Sequence, residues 1–182
     1  LATEERSFAI YKEALDSMEA GDFFYASKKF EEAEAVMSKI EYSAKALLMS
    51  SFCLYSINFY DESLSALEKY LAKYPADKNI PYAHYLITSI YYEQILDEKK
   101  DLKPLLKTKE KINFYLKTFP NSDYALDLEF KLDLVNNQLA AKELYVAKYY
   151  ITTQKWIAAI NRLKLIIKDY DQTIFVEEAL HR

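Results

Sequence analysis

The sequence has one glycine, Gly21, four prolines and one cysteine in 182 residues. Average usage would place roughly a dozen glycines in a chain of this length. Hairpins lean on Gly, Asn-Gly and Asp-Gly turns, so a sheet protein is hard to build from this composition. A Gly-rich phosphate-binding loop is excluded with it. The lone cysteine, Cys53, has no intrachain partner for a disulfide and does not report the redox compartment. It sits in Ser51-Phe52-Cys53-Leu54-Tyr55, where a buried structural thiol is expected. The two histidines, His84 and His181, lie far apart, and neither joins a Cys or carboxylate pattern with metal-ligand spacing. Ser and Cys nucleophile motifs are missing. No apolar run approaches the ~18 residues of a membrane span. The net charge is -4, and no basic stripe marks a nucleic-acid binder. A non-enzymatic protein with no cofactor, no metal and no nucleic-acid partner is expected.

What is present favours helices. Hydrophobic residues make up 51% of the chain, enough for a continuous core. Ala, Leu, Lys and Glu, all good helix formers, dominate between the breaks. A repeat then emerges. Gly21-Asp22-Phe23 is followed by Ala26, Phe30 and Ala33. The same grammar returns at Asn58-Phe59-Tyr60 with Ser63, Leu67 and Tyr70, and at Gln154-Lys155-Trp156 with Ala159, Leu163 and Ile166. Glycine permits a tight turn between helices, small residues let two helices approach, and the large ones fill the gap. The segment ends match too: Leu71-Ala72-Lys73-Tyr74-Pro75, Leu116-Lys117-Thr118-Phe119-Pro120 and Ile167-Lys168-Asp169-Tyr170-Asp171 share one frame. Proline after a helix stops it. This is the grammar of tetratricopeptide repeats, 34-residue helix–turn–helix units that bury their apolar faces only by stacking.

The expected fold is all-α, a right-handed α-solenoid of about four to five tetratricopeptide repeats with the last one truncated. Helices are expected near 4–20, 22–38, 41–57, 60–74, 80–97, 104–118, 122–152, 155–169 and 174–182. The segment 122–152 has no Gly or Pro and reads as one long helix joining repeats 1–3, residues 1–121, to repeats 4–5, residues 122–182. The charged stretch from Asp97 to Lys103 reads as an insertion within the third repeat. Glu31, Glu32 and Glu34 read as a solvated acidic face. Trp156 holds the position of Phe23 and Tyr60 and is expected to pack as they do.

Two groups of candidate site residues stand out. Only three of the 24 Lys and Arg residues are arginine, and Arg162 alone lies away from the termini. Lysine cannot copy the planar fork that grips a carboxylate bidentately. Arg162 is thus a candidate partner contact, against the alternatives of an ordinary exposed arginine or one paired within the fold. The second group is Tyr11, Leu15, Phe52, Tyr55, Tyr85 and Tyr92, at first-helix positions expected to face the concave side. An aromatic groove would suit an extended, aromatic-rich peptide. The alternative is that these side chains simply pack between helices.

From Tyr145-Val146-Ala147-Lys148-Tyr149-Tyr150, through Trp156-Ile157-Ala158-Ala159-Ile160-Asn161-Arg162-Leu163, to Lys168-Asp169-Tyr170, the chain resembles the BamD-type lipoproteins of the bacterial outer-membrane protein assembly (BAM) machine. Phe119-Pro120-Asn121-Ser122-Asp123-Tyr124 and Asn79-Ile80-Pro81-Tyr82-Ala83-His84-Tyr85 extend the resemblance over nearly all of residues 5–182. The resemblance implies a protein on the periplasmic face of the outer membrane, touching the membrane only through an N-terminal lipid anchor. The lipid-bearing cysteine is not among these residues, and Cys53 cannot replace it from mid-helix. A leader before Glu4 is expected to have been removed or trimmed. The resemblance further implies a contact with the POTRA region of the barrel subunit BamA through Arg162, with Asn161 and Tyr149 in the matching motif. Other BAM lipoproteins are candidate partners. Unfolded outer-membrane β-barrel proteins would be received by the N-terminal repeats.

Three other readings compete. A carboxylate-clamp co-chaperone would place Lys and Asn where this chain has Tyr11 and Leu15, and a second Asn at Met49. Another periplasmic repeat adaptor of the cell envelope gives no reason for the Tyr149-Tyr150 and Asn161-Arg162 matches. A self-associating solenoid needs neither motif. The sequence immediately upstream discriminates among them, because a lipobox ending in Cys supports the lipoprotein reading.

Overall fold

The computed structural model describes residues 2–97 and 102–182, and every regular element among them is a helix. In order these are α1 (Ala2–Glu19), α2 (Phe23–Val36), α3 (Ile40–Ser56), α4 (Tyr60–Lys73), α5 (Ile80–Asp97), α6 (Leu102–Thr118), α7 (Ala125–Thr152), α8 (Trp156–Asp169) and α9 (Val176–His181). The all-helical, tetratricopeptide-type fold expected from the sequence is the one observed. Of the charged stretch Asp97–Lys103, residues 98–101 lie outside the described residues. The chain divides into two compact units, residues 1–90 and 91–182.

The turns show the repeat most directly. Gly21, Asn58 and Gln154 all have positive φ, at 84°, 62° and 57°. The residue after each, Asp22, Phe59 or Lys155, has nearly the same backbone, with φ between -90° and -83° and ψ between 66° and 71°. Each of these residues donates its N–H to the carbonyl five residues back, Ser17, Leu54 or Tyr150, at 2.8–3.0 Å. Each left-handed residue donates to the carbonyl three back, at 3.0 Å. This is the Schellman arrangement, which satisfies carbonyls that a helix end leaves orphaned. One turn geometry therefore links α1 to α2, α3 to α4 and α7 to α8.

After the turn comes a fixed triad of buried side chains. Ala26/Phe30/Ala33, Ser63/Leu67/Tyr70 and Ala159/Leu163/Ile166 are all buried, as the repeat grammar requires. The structure adds a fourth copy in α6, Thr108/Ile112/Tyr115. The small member sits against the preceding helix. Ser63 Oγ donates to the Ser51 carbonyl at 2.8 Å, and Thr108 Oγ1 donates to the Tyr91 carbonyl at 3.1 Å. The triad's last tyrosine then locks the following turn. Tyr70 Oη donates to Asp77 Oδ1 at 2.5 Å, and the Tyr115 and Ser122 hydroxyls are 2.8 Å apart. That second lock explains why α7 starts at Ala125 rather than 122. Ser122 is held in the turn, where its N–H also donates to the Phe119 carbonyl at 3.2 Å.

In the first unit, Ile10, Ala14, Ala26, Phe30, Ala33, Ala46 and Cys53 form one core cluster, with Tyr11, Leu15, Met18, Phe23, Met37 and Met49 packed against it. Burial pushes the Cys53 thiol up to about 11, so it stays protonated and inert near neutral pH. In the second unit, α7 packs on α6 and α8, and α8 on α9. The 28 residues of α7 make a rod about 42 Å long, lying wholly within this unit.

One expectation is corrected. Glu31 and Glu32 do lie at the surface, paired with Lys28 and Lys29. Glu34 does not belong with them, because it is buried at 5% exposure. It follows Phe30 by four residues and so shares the core-facing side of α2. Lys69 donates to its Oε2 at 3.1 Å, Tyr74 to its Oε1 at 2.7 Å, and Lys73 also to Oε1. All three donors come from α4 or its C-cap, so one buried carboxylate ties the second helices of repeats 1 and 2 together. Burial alone would raise this carboxyl. The bonds from Lys73, Tyr74 and Lys69 outweigh burial and hold it below its ordinary range.

The sign of the pH effect follows. A depressed carboxyl contributes stability above its unfolded value, about 4.3, and loses it as pH falls through the folded value. Replacing both lysines (Lys69→Met with Lys73→Met) leaves burial dominant, so the carboxyl rises and its contribution is instead lost as pH climbs. Urea melts at pH 7 should show the double variant about 1–3 kcal/mol less stable than the parent, discounted for two half-exposed lysines. The gap should shrink at pH 4. An equal gap at both pH values would contradict the assignment.

Candidate functional site

The helices α7 and α8 meet through the third Schellman turn, which fixes the register between Glu143 and Arg162. Glu143 is buried, 7% exposed, on the α8-facing side of α7. Arg162 Nη1 donates to Glu143 Oε2 at 3.0 Å, and the arginine side chain remains 43% exposed. The arginine therefore does pair within the fold, as one of the alternatives anticipated. The pairing does not exhaust it. A guanidinium has five N–H donors, and the bond to Glu143 uses one nitrogen.

The outer side of Arg162 borders an open pocket of about 330 Å³, lined by Tyr150, Ala158, Asn161, Arg162 and Leu165. Asn161 and Arg162 are thus brought together. Tyr149 is not among the lining residues. It is exposed and reaches the pocket only through Tyr150, with ring centroids 6.0 Å apart. A floor of Ala158 and Leu165, an amide and a charged fork suit a carboxylate carried on a partly apolar surface.

Behind the pair lies more polar structure. Tyr170 is buried, and Lys109 Nζ sits 4.6 Å from its ring centroid. Burial, then the negative charges of Glu143 and Asp169, push the Tyr170 phenol up. Burial lowers the Lys109 ammonium against the pull of Asp169. Both effects mark a poorly hydrated region around Tyr170 and Lys109.

Glu143 is the residue that sequence reasoning missed, although it left a signal. The apolar register of α7 runs Leu128, Leu132, Val135, Leu139, Val146 and Tyr150. Position 143, four after Leu139, belongs to that register and carries an acid. Trp156 was expected to pack and does not. Phe23 lies against the first core, whereas Trp156 is 58% exposed, although its spacing to Ala159, Leu163 and Ile166 matches that of Phe23 to Ala26, Phe30 and Ala33.

The aromatic group divides. Tyr11 packs edge-on to Phe30 at 5.3 Å, and Tyr11 and Leu15 both flank the first core. Tyr92 is buried beneath Lys131, 5.4 Å from its ring centroid, and lines no open surface. Phe52, Tyr55 and Tyr85 are half-buried. Tyr55 lies 6.1 Å from Tyr60 and Tyr85 lies 6.4 Å from Tyr82, centroid to centroid. Packing between helices thus accounts for Tyr11, Leu15 and Tyr92. No helix among the described residues is long and apolar enough to cross a membrane.

Arg162→Ala strips a buried carboxylate of its cation. It should lower stability by about 1–2 kcal/mol, below the figure for a fully buried pair because the arginine is half in solvent. Arg162→Lys keeps a charge beside Glu143 and should cost less than half of that. Chemical denaturation compares the two directly. No loss with Arg162→Ala would mean that the pair contributes nothing to folding, and equal losses would mean that a lysine cannot stand in for the arginine beside Glu143.

A family model described as an outer membrane lipoprotein, YfiO, matches residues 3–182. The outer membrane protein assembly factor BamD of Caulobacter vibrioides is 31% identical over 183 residues, covering 100% of this chain and 60% of its own length. The protein of the same name from Rickettsia prowazekii is 33% identical over 162 residues, covering 85% of this chain and 64% of its own. That of Neisseria gonorrhoeae is 28% identical over 181 residues, covering 94% and 68%. The chain therefore spans 60% and 64% of the first two relatives' lengths.

Proposed function

The chain belongs to the YfiO outer membrane lipoprotein family, and on that premise we propose that it is a non-enzymatic scaffold of outer-membrane protein assembly, acting at the periplasmic face of the outer membrane. Its C-terminal repeats, residues 122–182, hold the POTRA region of the barrel subunit BamA. The N-terminal repeats, residues 1–121, receive the targeting segment of unfolded β-barrel proteins. Other lipoproteins of the machine are further partners, and a lipid anchor outside these residues supplies the membrane tether. The relatives' shared name, outer membrane protein assembly factor, supports the role.

The observation that carries the partner contact is the half-used arginine. Glu143 takes Nη1 of Arg162, and the arginine, 43% exposed, also lines the open pocket with Asn161 and Tyr150. A side chain already held by one carboxylate has lost most of its rotamer freedom. A second carboxylate, from the partner, then meets it without the ~0.5–1.5 kcal/mol of ordering that a loose side chain costs. The fork can serve both because its donors point in different directions. Asn161 offers a neutral donor and acceptor beside it.

Arg162→Lys tests this. Binding to the isolated POTRA region, measured calorimetrically, should weaken about tenfold, which corresponds to ~1.4 kcal/mol, while the melting curve barely moves. Unchanged affinity would remove Arg162 from the interface.

For the substrate end, Phe52, Tyr55 and Tyr85 are the aromatic candidates whose rings are not consumed by the first core. A photo-crosslinker at Tyr55 or Tyr85 should capture a peptide copied from the C-terminal strand of a β-barrel protein. No crosslink at saturating peptide would leave these rings as packing alone.

A further inference from the structure

The N-terminal half of α7 presents a surface that folding does not require. Leu126, Phe130 and Leu134 are 77%, 63% and 38% exposed. Four-residue spacing places them in a row on one side of the helix. The other side is already buried through Ala125, Leu128, Val135 and Leu139. A helix facing solvent ordinarily carries polar residues there, so this stretch of α7 is apolar on two sides.

The row has an acidic border. Asp123, Asp127, Glu129 and Asp133 are all exposed. At about 100° per residue, Glu129 and Asp133 fall on one flank of the row and Asp127 on the other, with Asp123 in the turn before the helix. Lys131 pairs with Asp127 at 2.7 Å, and no ion pair among the described residues reaches Asp123, Glu129 or Asp133. The surface lies at the far end of α7 from Tyr149 and does not involve Arg162.

We propose that this face docks a cationic amphipathic helix of a partner protein, its apolar residues against Leu126, Phe130 and Leu134 and its Lys or Arg side chains opposite Glu129 and Asp133. The charge pattern selects this occupant. An anionic lipid surface or a nucleic acid would meet a wall of carboxylates. A neutral apolar partner would leave those carboxylates partly desolvated and without counter-charge, which is costly. Complementary charge instead raises the encounter rate and fixes register. The row is about 12 Å long, so two to three turns of the partner helix cover it. The remaining competitor is a second copy of this chain. Its α8 exposes Trp156, Ile157 and Ile160 alongside Lys164 and Lys168. Such a contact would be head-to-tail and would not close into a dimer.

The test uses the whole chain, labelled with ¹⁵N, and a Leu/Lys amphipathic peptide of about 14 residues, roughly 21 Å as a helix, with its Leu/Glu counterpart as control. The Leu/Lys peptide should perturb the amides of residues 123–138, bind more weakly as salt is raised beyond ~0.15 M, and lose about tenfold in affinity with Phe130→Ser. Glu129→Lys combined with Asp133→Lys should do the same. All three positions are exposed, so melting temperatures should stay at the parent value, and the two variants check each other. Perturbations that map to α8 or to the first unit, equal affinity for the variants, or equal binding of the Leu/Glu peptide would overturn the proposal. So would concentration-dependent sedimentation of the chain alone that Phe130→Ser abolishes, because the occupant would then be a second copy.

Discussion

Three helix pairs of this chain turn on a single residue held at positive φ. Gly21, Asn58 and Gln154 occupy the same position in the same pair of hydrogen bonds. The turn fixes where the second helix starts, and that start fixes where its buried triad lands, the small first member three residues on and the others four and seven residues after it. Without the turn, Ala26, Ser63 and Ala159 would not meet the preceding helix at their buried positions. The conformation costs a residue with a Cβ about 1–2 kcal/mol, yet two of the three positions are not glycine. Asparagine tolerates the region through its short polar side chain, whereas glutamine has no such help. The stack is evidently worth more than that strain, as expected when no repeat can bury its apolar face alone.

On this frame sit two buried carboxylates with different surroundings. Glu34 receives three donors from α4 and its C-cap, and its two lysines are tied to it. It is a knot between repeats. Glu143 receives one arginine nitrogen. That arginine borders an open pocket, so the second carboxylate orients a group that can also act outward. The two ion pairs differ in how many donors remain after the fold has used its share. Lysine at position 162 would leave a point charge and lose the fork.

Helix positions, turn positions and three of the four triads were legible in the sequence, because glycine scarcity, proline placement and the spacing of small and large residues all follow from stacking geometry. The α6 triad was hidden because Thr108 stands where the other copies carry Ala or Ser, and no Gly, Asn or Gln turn precedes it in the same frame. Glu34 was misread because a run of Glu31, Glu32 and Glu34 looks uniform until the helix periodicity separates the last from the others. Arg162 could be picked out by its rarity, but its partner could not, because a nineteen-residue separation becomes a contact only when the α7–α8 turn is drawn. The six groove candidates, five aromatics and Leu15, shared one sequence signature and split on burial. Tyr92 and Tyr55 both sit on first helices, and only packing distinguishes a ring inside the stack from one at its edge.

Arg162 is held by Glu143, and the proposed role is to present it to an acidic partner. The most direct measurement is a structure of this chain bound to the POTRA region of the barrel subunit. The expected result is a partner carboxylate within hydrogen-bond distance of the Arg162 guanidinium, in the pocket beside Asn161 and Tyr150, with Nη1 still on Glu143. A complex in which the partner binds elsewhere, leaving that pocket open, would contradict it.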